Sequence, residues 1–324
     1  MAEAPAPGPA AGAVPSPAPG PAPAPASGRP ELEFDSEFLR KLEYLNIVAK
    51  KMFAGLLRAD RQSIKKGVSA EFADHRSYVA GDDFRHVDWH LFGRLEELFL
   101  KLYKEEENLH LSVLLDSSTS MGAGGSGATH KFNYALQVTA ALGYIGMSNM
   151  DAVNVVPFHT RMGESIFGLK GRGKIFRLFD FLRAQEPGGA TDLSKAFREF
   201  IGRERRRGVV IVISDFYDRD GLQQALKFLK YPRHSIYVLH VIDRSEEDPD
   251  LRGDLRLVDS EVDGFREINV TDGLLARYRK AFQELAKGVE SFCVRHEMGY
   301  CRAYTHVPFD ELVLQILRRG GLVG

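Results

Sequence analysis

Five oxygen-bearing side chains in the sequence are spaced so that they could hold a divalent cation. The first three form an Asp-x-Ser-x-Ser motif directly after an apolar run, the fourth lies in the Gly-rich stretch GGATDL, and the fifth ends the apolar run VVIVIS. The five residues are Asp116, Ser118, Ser120, Thr191 and Asp215. Mg²⁺ prefers oxygen ligands, takes few carboxylates and keeps some of its waters. The residue types therefore predict a Mg²⁺ site, with Mn²⁺ or Ca²⁺ as alternatives.

The elements that carry the two acids favour their convergence. The apolar runs before Asp116 and Asp215 have the composition of strands that are buried on both faces. In an open α/β sheet, binding groups gather at the carboxyl ends of adjacent strands. A simpler interpretation is that Asp116 and Ser118 only cap turns. That interpretation does not explain why Asp215 ends a second buried strand.

Composition restricts the class of protein. The chain has 324 residues, 44% hydrophobic and 27% charged, with a formal net charge of -1. These values are ordinary for a globular protein. The balanced charge argues against nonspecific electrostatic binding to nucleic acid or to an anionic membrane. Only two cysteines occur, and no apolar run approaches the roughly 18 residues that a membrane span requires. We expect a reduced, cytoplasmic chain without disulfides.

Three regions follow one another along the chain. Residues 1–29 alternate Ala and Pro with Gly and Ser, which predicts a disordered tail. Residues 30–107 form an N-terminal appendage, with an amphipathic helix over 35–57 and an alternating strand over 97–103. From residue 108 to residue 324, strands and helices alternate. That pattern predicts an α/β fold with a doubly wound, mostly parallel sheet flanked by helices.

The appendage contains a block of charged residues around the single tryptophan. The block residues are Arg76, Tyr78, Gly81, Asp82, Asp83, Arg85, Asp88, Trp89 and Arg94. The block contains both acidic and basic residues, and there are more of them than a solvent-exposed loop usually has. The pattern therefore favours a buried or interfacial ion-pair network whose role is open.

Two sets of residues resemble known families. The five oxygen-bearing residues are similar in type and chain order to the metal-ion-dependent adhesion site of von Willebrand factor A domains. The pattern R-x-Y-x-x-G-D-D-x-R-x-x-D-W, followed by G-R and L-x-x-K-x-x-x-E-E, resembles a large bacterial family, the domain of unknown function 58. The resemblance runs from about residue 35 to the C-terminus. Many relatives carry two N-terminal membrane helices, where this chain has its Pro/Ala stretch.

The resemblance implies a von Willebrand A-like domain that binds other proteins and is not an enzyme. It implies that some of the five residues hold Mg²⁺ through water. Asp116 and Asp215 would only neutralise the ion, which would leave an open position for an acidic side chain of a partner protein. The resemblance further implies an adaptor that works with a MoxR-type AAA+ ATPase in chaperone-like maturation or activation of other proteins.

Two alternatives remain from the residues. A metal-dependent phosphoester hydrolase could use the same cation as a Lewis acid. Aspartate-nucleophile phosphatases, however, need a second acid two residues after the first, and Ser118 stands there. No Gly-x-Ser-x-Gly elbow indicates serine hydrolysis either. The other alternative is a scaffold with a degenerate metal site.

Overall fold

Strands and helices alternate through most of the chain, as the sequence predicts. The computed structural model describes residues 34–60, 62–63, 72–103, 105–106, 109–122, 130–217, 221–230, 234–258 and 265–318. The Pro/Ala-rich stretch 1–29, predicted to be a disordered tail, lies outside the described residues.

The strands are β1 (Gln62–Ser63), β2 (Phe72–Ser77), β3 (Phe99–Tyr103), β4 (Glu105–Glu106), β5 (His110–Asp116), β6 (Ala152–Phe158), β7 (Ile166–Leu169), β8 (Val209–Ser214), β9 (Ser235–Ile242), β10 (Gly253–Val258), β11 (Phe265–Val270) and β12 (Gly299–Tyr304). The helices are α1 (Ser36–Asp60), α2 (Trp89–Leu95), α3 (Lys131–Ser148), α4 (Ile175–Arg183), α5 (Leu193–Arg203), α6 (Leu222–Lys230), α7 (Arg244–Glu247), α8 (Asp272–Arg295) and α9 (Phe309–Arg318).

A six-stranded sheet in the order β12-β9-β8-β5-β6-β7 forms the centre of the fold. Neighbours from β12 to β6 run parallel, and β7 pairs antiparallel with β6 at one edge. If these six strands are numbered 1 to 6 in chain order, they lie in the order 6-5-4-1-2-3. Read from the other edge, this is 3-2-1-4-5-6, a doubly wound arrangement. The predicted α/β class with a mostly parallel sheet is confirmed.

Hydrophobic cores cover both faces of this sheet. On one face, α3 lies against the strands together with α1, α4 and α9, and almost every residue of α3 is buried. A helix that is apolar all round belongs in such a central position. On the other face, α5, α6 and α8 pack on β8 and β9. Both cysteines, Cys293 and Cys301, are buried free thiols. The cores fix the positions at which the strands end.

Helix α1 joins the core of the sheet domain. The Asp35 carboxylate caps the helix by accepting the backbone N–H of Phe38 at 2.8 Å. The ring of Phe34 stacks on Phe179 with centroids 4.3 Å apart, and the ring of Phe38 lies 4.8 Å from that of Phe309. The helix therefore shares its apolar stripe with α4 and α9. The division of the chain at residue 107 stays a prediction.

The charged block folds into a small unit of its own. Strands β2 and β3 pair antiparallel, and a 3₁₀ turn at Phe84–His86 and helix α2 lie between them. The predicted strand over 97–103 is present and begins at Phe99. Strand β2 and helix α2 were not predicted. The two-turn helix α2 is too short to show a helical repeat, and its best sequence signal is the capping residue Asp88.

Helix α7 and the antiparallel hairpin of β10 and β11 lie between β9 and α8 along the chain. The short strands β1 and β4 also pair antiparallel. Within the described residues, every helix is too short or too polar to cross a membrane.

The packing of α1 generates a stability prediction. Leu42 is fully buried in the core, whereas Tyr44 on the same helix is 57% exposed. We expect Leu42→Ala to lower the free energy of unfolding by about 2–5 kcal/mol because it removes buried methyl groups and leaves a cavity. We expect Tyr44→Ala to change it by less than about 0.5 kcal/mol. Urea unfolding of both variants measures this, and equal small effects would show that α1 is not part of the core.

Candidate metal centre at the carboxyl edge of the sheet

The register of the central strands brings the two predicted acids to one edge. Strands β5 and β8 pair with Leu115 opposite Ile213, so Asp116 and Ser214 end neighbouring strands and Asp215 follows at once. The hydroxyl of Ser214 donates to Oδ2 of Asp116 at 2.5 Å. Ser214 was not among the predicted site residues. It connects the strand end that carries Asp215 to the carboxylate of Asp116.

The Asp-x-Ser-x-Ser loop turns back on its own carboxylate. Oδ1 of Asp116 accepts the backbone N–H of Ser118 at 2.9 Å. The hydroxyl oxygens of Ser118 and Ser120 lie 3.0 Å apart, within hydrogen-bond distance. Asp116 and Ser118 are fully buried, and Ser120 is 9% exposed. The structure thus gathers three of the five predicted ligands on one short, buried loop.

The loop that carries Thr191 lies against the Asp-x-Ser-x-Ser loop. The N–H of Gly188 donates to the carbonyl of Ser117 at 2.7 Å, and the N–H of Thr119 donates to the carbonyl of Gly189 at 2.9 Å. Gly189 has φ +82°, and a Cβ there would lie 3.1 Å from Nδ1 of His159. A glycine is therefore needed at this close approach. Thr191 is half-buried and stands two residues beyond this contact.

A strained residue follows Asp215. Phe216 is fully buried and has φ +55°, a left-handed conformation that is uncommon for a bulky residue. Its N–H donates to the hydroxyl of Ser214 at 3.0 Å, and its ring lies edge-on to His240 with centroids 5.5 Å apart. The backbone turns sharply directly after Asp215 and is held there by core contacts. Such outliers often accompany functional sites.

A fully buried lysine, which the sequence interpretation missed, pairs with Asp215. Lys131 is the first residue of α3, and its Nζ donates to Oδ2 of Asp215 at 2.8 Å and to Oε1 of Glu246 at 2.5 Å. The Nζ also lies 5.4 Å from the ring centroid of Tyr217. Burial opposes the charge on Lys131, but Asp215 and Glu246 outweigh it and raise the lysine pKa above its usual value. The ammonium therefore stays charged.

Glu246 reaches this site from helix α7. Its Oε2 accepts the N–H of Asp243 at 3.2 Å, and the Asp243 carboxylate caps α7 in return, so the two residues form a capping box. The hydroxyl of Tyr278 donates to the backbone carbonyl of Glu246 at 2.8 Å. The acid is consequently fixed both to the end of β9 and to α8. Burial raises its pKa, against the opposite effect of Lys131.

The electrostatics of the site are unbalanced. Burial, and then the negative charge of Asp215, raise the pKa of Asp116 from 3.8 to about 7, although hydrogen bonds from Ser214 and Ser118 oppose the rise. With Asp116, Asp215, Glu246 and Lys131 all ionised, this group carries two excess negative charges. A divalent cation would balance them. Among the described residues, no three His, Cys, Asp or Glu side chains are arranged to hold a metal ion, so a site here requires hydroxyl ligands.

The family block lies in the small β2–β3 unit. Arg76 donates to Oδ2 of Asp82 at 2.5 Å, and the nearly buried Asp88 accepts from His75 at 2.9 Å and lies 3.4 Å from Lys101. The hydrogen bond to His75 is the main reason that the pKa of Asp88 falls to about 2. Trp89, however, is 59% exposed. The block holds ion pairs, but they do not enclose the tryptophan, and an interfacial role stays a prediction.

The remaining block residues lie between the end of β2 and the end of α2. Tyr78 stacks on Phe84 with ring centroids 5.0 Å apart, and Gly81 has φ +103° in the turn between them. Asp83 and Arg85 form a solvent-exposed ion pair at 3.8 Å, and Arg94 is exposed in the last turn of α2. Exposed pairs of this kind add little stability.

Comparison with known proteins agrees with the block pattern. The sequence profile of the family described as protein of unknown function DUF58 matches residues 74–290, about two thirds of the chain. The chain belongs to the DUF58 family. Uncharacterized proteins of Mycobacterium bovis and Mycobacterium tuberculosis are 25% identical to this DUF58 protein over 258 residues, which cover 76% of the chain and 78% of theirs.

Two solved structures align with part of this chain. The conserved hypothetical protein BatB from Bacteroides thetaiotaomicron aligns with 16% identity over 65% of the DUF58 chain and 96% of its own, with a TM-score of 0.40. The vWF domain of the type V pili tip protein Mfa5 from Porphyromonas gingivalis aligns with 18% identity over 33% of this chain and 38% of its own, with a TM-score of 0.25.

The raised pKa of Asp116 generates a pH prediction. Between the unfolded value of 3.8 and about 7, the folded state holds a proton that the unfolded state has lost, so stability falls as pH rises through this window. Asn cannot ionise. In EDTA, we expect Asp116→Asn to gain stability relative to the wild type between pH 5 and pH 8, on the order of 1–3 kcal/mol.

Chemical denaturation at the two pH values measures this difference. Asp180→Asn on α4, whose side chain is 75% exposed, serves as the control and should follow the wild type. An identical pH dependence in the wild type and Asp116→Asn would contradict the assignment.

Proposed function

We propose that this DUF58 chain is a Mg²⁺-dependent protein-binding module rather than an enzyme. In this proposal it acts as an adaptor for a MoxR-type AAA+ ATPase. The ATPase would supply energy for chaperone-like maturation or activation of other proteins, and this chain would supply recognition. Membership of the DUF58 family and the resemblance to von Willebrand A domains support the choice of partner.

One observation carries the proposal of a cation site. Asp116 and Asp215 end adjacent parallel strands, both are buried, and the negative charge of Asp215 helps to raise the pKa of Asp116. Buried carboxylates are costly unless a positive charge compensates them. The nearby hydroxyls of Ser118 and Ser120 are neutral oxygen ligands of the kind that Mg²⁺ accepts. The residues present therefore fit a hard divalent cation.

The residues that would hold the cation are Asp116, Ser118, Ser120, Thr191 and Asp215. A bound Mg²⁺ would supply an electrophilic position for a carboxylate from the partner. Two loops of the chain that carry these residues are in contact with each other. The contacts between Ser117 and Gly188 and between Thr119 and Gly189 hold the two ligand-bearing loops together.

The exposed apolar side chains of the block also support an interaction role. Val79, Phe84, Trp89 and Leu95 are each more than half exposed. Large exposed apolar residues that cluster in one segment are typical of surfaces that bind other proteins. Trp is also frequent among the residues that dominate binding energy.

Thermal unfolding with Mg²⁺ and with EDTA tests the cation site. At a Mg²⁺ concentration a hundred times the dissociation constant, binding to the folded state should add about 2.7 kcal/mol of stability. We expect Asp116→Ala and Thr191→Ala to remove this gain while the proteins remain folded in EDTA. Ser165→Ala, which removes a hydroxyl from another loop, should keep it. The same melting temperature for the wild type with Mg²⁺ and with EDTA would favour a scaffold with a degenerate site.

A pull-down with a purified MoxR-type ATPase from the same organism tests the partner. We expect the wild type to bind the ATPase in Mg²⁺ and release it in EDTA, and Asp116→Ala to bind poorly in both. A phosphoester such as p-nitrophenyl phosphate should not be turned over. Metal-dependent hydrolysis that disappears in Asp116→Ala would refute the binding function in favour of a hydrolase.

A further inference from the structure

The buried ion pair of Lys131 bears directly on the proposed cation site. Its Nζ donates to Oδ2 of Asp215 at 2.8 Å, and the lysine side chain has no exposed surface. One carboxylate oxygen of Asp215 is therefore already bound by a positive charge that belongs to the protein. Asp215 is at the same time one of the two acids among the proposed cation ligands. A divalent cation and the ammonium would have to share this carboxylate.

Lys131 occupies a position that is unfavourable for a cation. It is the first residue of the 18-residue helix α3, and the first turn of this helix contains no acidic residue. The helix dipole disfavours positive charge at this end, and burial of an ammonium adds a desolvation cost. Only specific acid partners can offset both effects. The charged lysine is therefore stabilised by Asp215 and Glu246, whereas its place at the start of α3 destabilises it.

Glu246 gives the ammonium a second place to bind. Its Oε1 accepts from Nζ at 2.5 Å, while its other oxygen accepts the N–H of Asp243. The capping box and the bond from Tyr278 fix this acid independently of the lysine. Lys131 therefore bridges two anchored carboxylates, one inside the proposed ligand set and one outside it.

We propose that Lys131 is a built-in counter-ion that sets the affinity of the site for a divalent cation. Without a divalent cation, the ammonium neutralises Asp215 and allows the chain to fold. When a divalent cation shares Asp215, the ammonium repels it and keeps its own bond to Glu246. The inference rests on the proposed function because it takes Mg²⁺ as the cation. Lys131 is a positioning residue in this account and not a cation ligand.

Two variants of the full chain should change Mg²⁺ affinity in opposite directions. Lys131→Met removes the repulsion between the ammonium and the dication, so we expect Mg²⁺ to bind at least about tenfold more tightly. A unit charge about 5 Å from a dication, at an effective dielectric constant of about 20, has a repulsion energy large enough for at least a tenfold change in affinity. In Glu246→Gln, the ammonium pairs with Asp215 alone and an acid is lost, so we expect weaker binding by a similar factor. Calorimetric titration with Mg²⁺ after removal of metals with EDTA measures both.

Controls separate this role from a structural one. Lys280→Met on α8, where the lysine side chain is 78% exposed, should bind Mg²⁺ like the wild type. A merely structural ion pair predicts that Lys131→Met and Glu246→Gln both lower the melting temperature in EDTA and leave the Mg²⁺ dissociation constant unchanged. That result would overturn the inference. If Lys131→Met does not fold even with Mg²⁺, Glu246→Gln decides alone: weaker binding supports the inference, and unchanged binding refutes it.

The same titrations distinguish the inference from the proposed function. If the wild type binds Mg²⁺ and Lys131→Met binds it equally well, the inference fails and the proposed function stands. If the wild type does not bind Mg²⁺ but Lys131→Met does, the lysine fills the site, the inference stands and the proposed function fails. If neither protein binds Mg²⁺, both are refuted.

Discussion

Buried negative charge at the carboxyl edge of the sheet is the constraint on which the rest of the site depends. Two carboxylates, Asp116 and Asp215, lie close enough for one to raise the pKa of the other, and both are removed from water. Such an arrangement is stable only if protons, hydrogen-bond donors or cations compensate it. The Ser214 hydroxyl, the N–H of Ser118 and the ammonium of Lys131 each supply part of that compensation.

Asp243 is a nearby acid whose negative charge is compensated by hydrogen bonds. Asp243 directly follows β9, the neighbour of β8, and caps helix α7. It accepts two bonds from Ser245 and one from the hydroxyl of Thr305, and these outweigh the effect of burial and lower its pKa. The pKa of Asp116 moves in the opposite direction because its carboxylate is fully buried and lies near the negative charge of Asp215. Of these two acids, Asp116 is the one whose negative charge is not fully compensated. Asp243 is compensated by its hydrogen bonds and caps helix α7.

Much of the architecture was predictable because it follows from local patterns. The apolar runs before Asp116 and Asp215 indicated β5 and β8. The shared edge of Asp116 and Asp215 was predictable because each acid comes at the end of such a run, whereas the ligand role of the five candidate residues stays a prediction. Lys131 and Glu246 were not predictable: the lysine lies 84 residues from Asp215 and 115 from Glu246, and no spacing rule connects them. The one available signal was a lysine at the start of an otherwise apolar helix, a position that the helix dipole disfavours.

The charged block inverts the usual distribution of polarity. Its acid Asp88 is nearly buried and satisfied by the backbone of α2, by His75 and by Lys101, so charge holds the small unit together from within. Its aromatic residues Phe84 and Trp89 lie outside. The sequence predicted a buried or interfacial ion-pair network around the tryptophan and did not place the ring itself. A unit of two short strands has too little interior to bury both. Since the ion pairs take the interior, the aromatic rings remain on the surface, where they are available for contact with another protein.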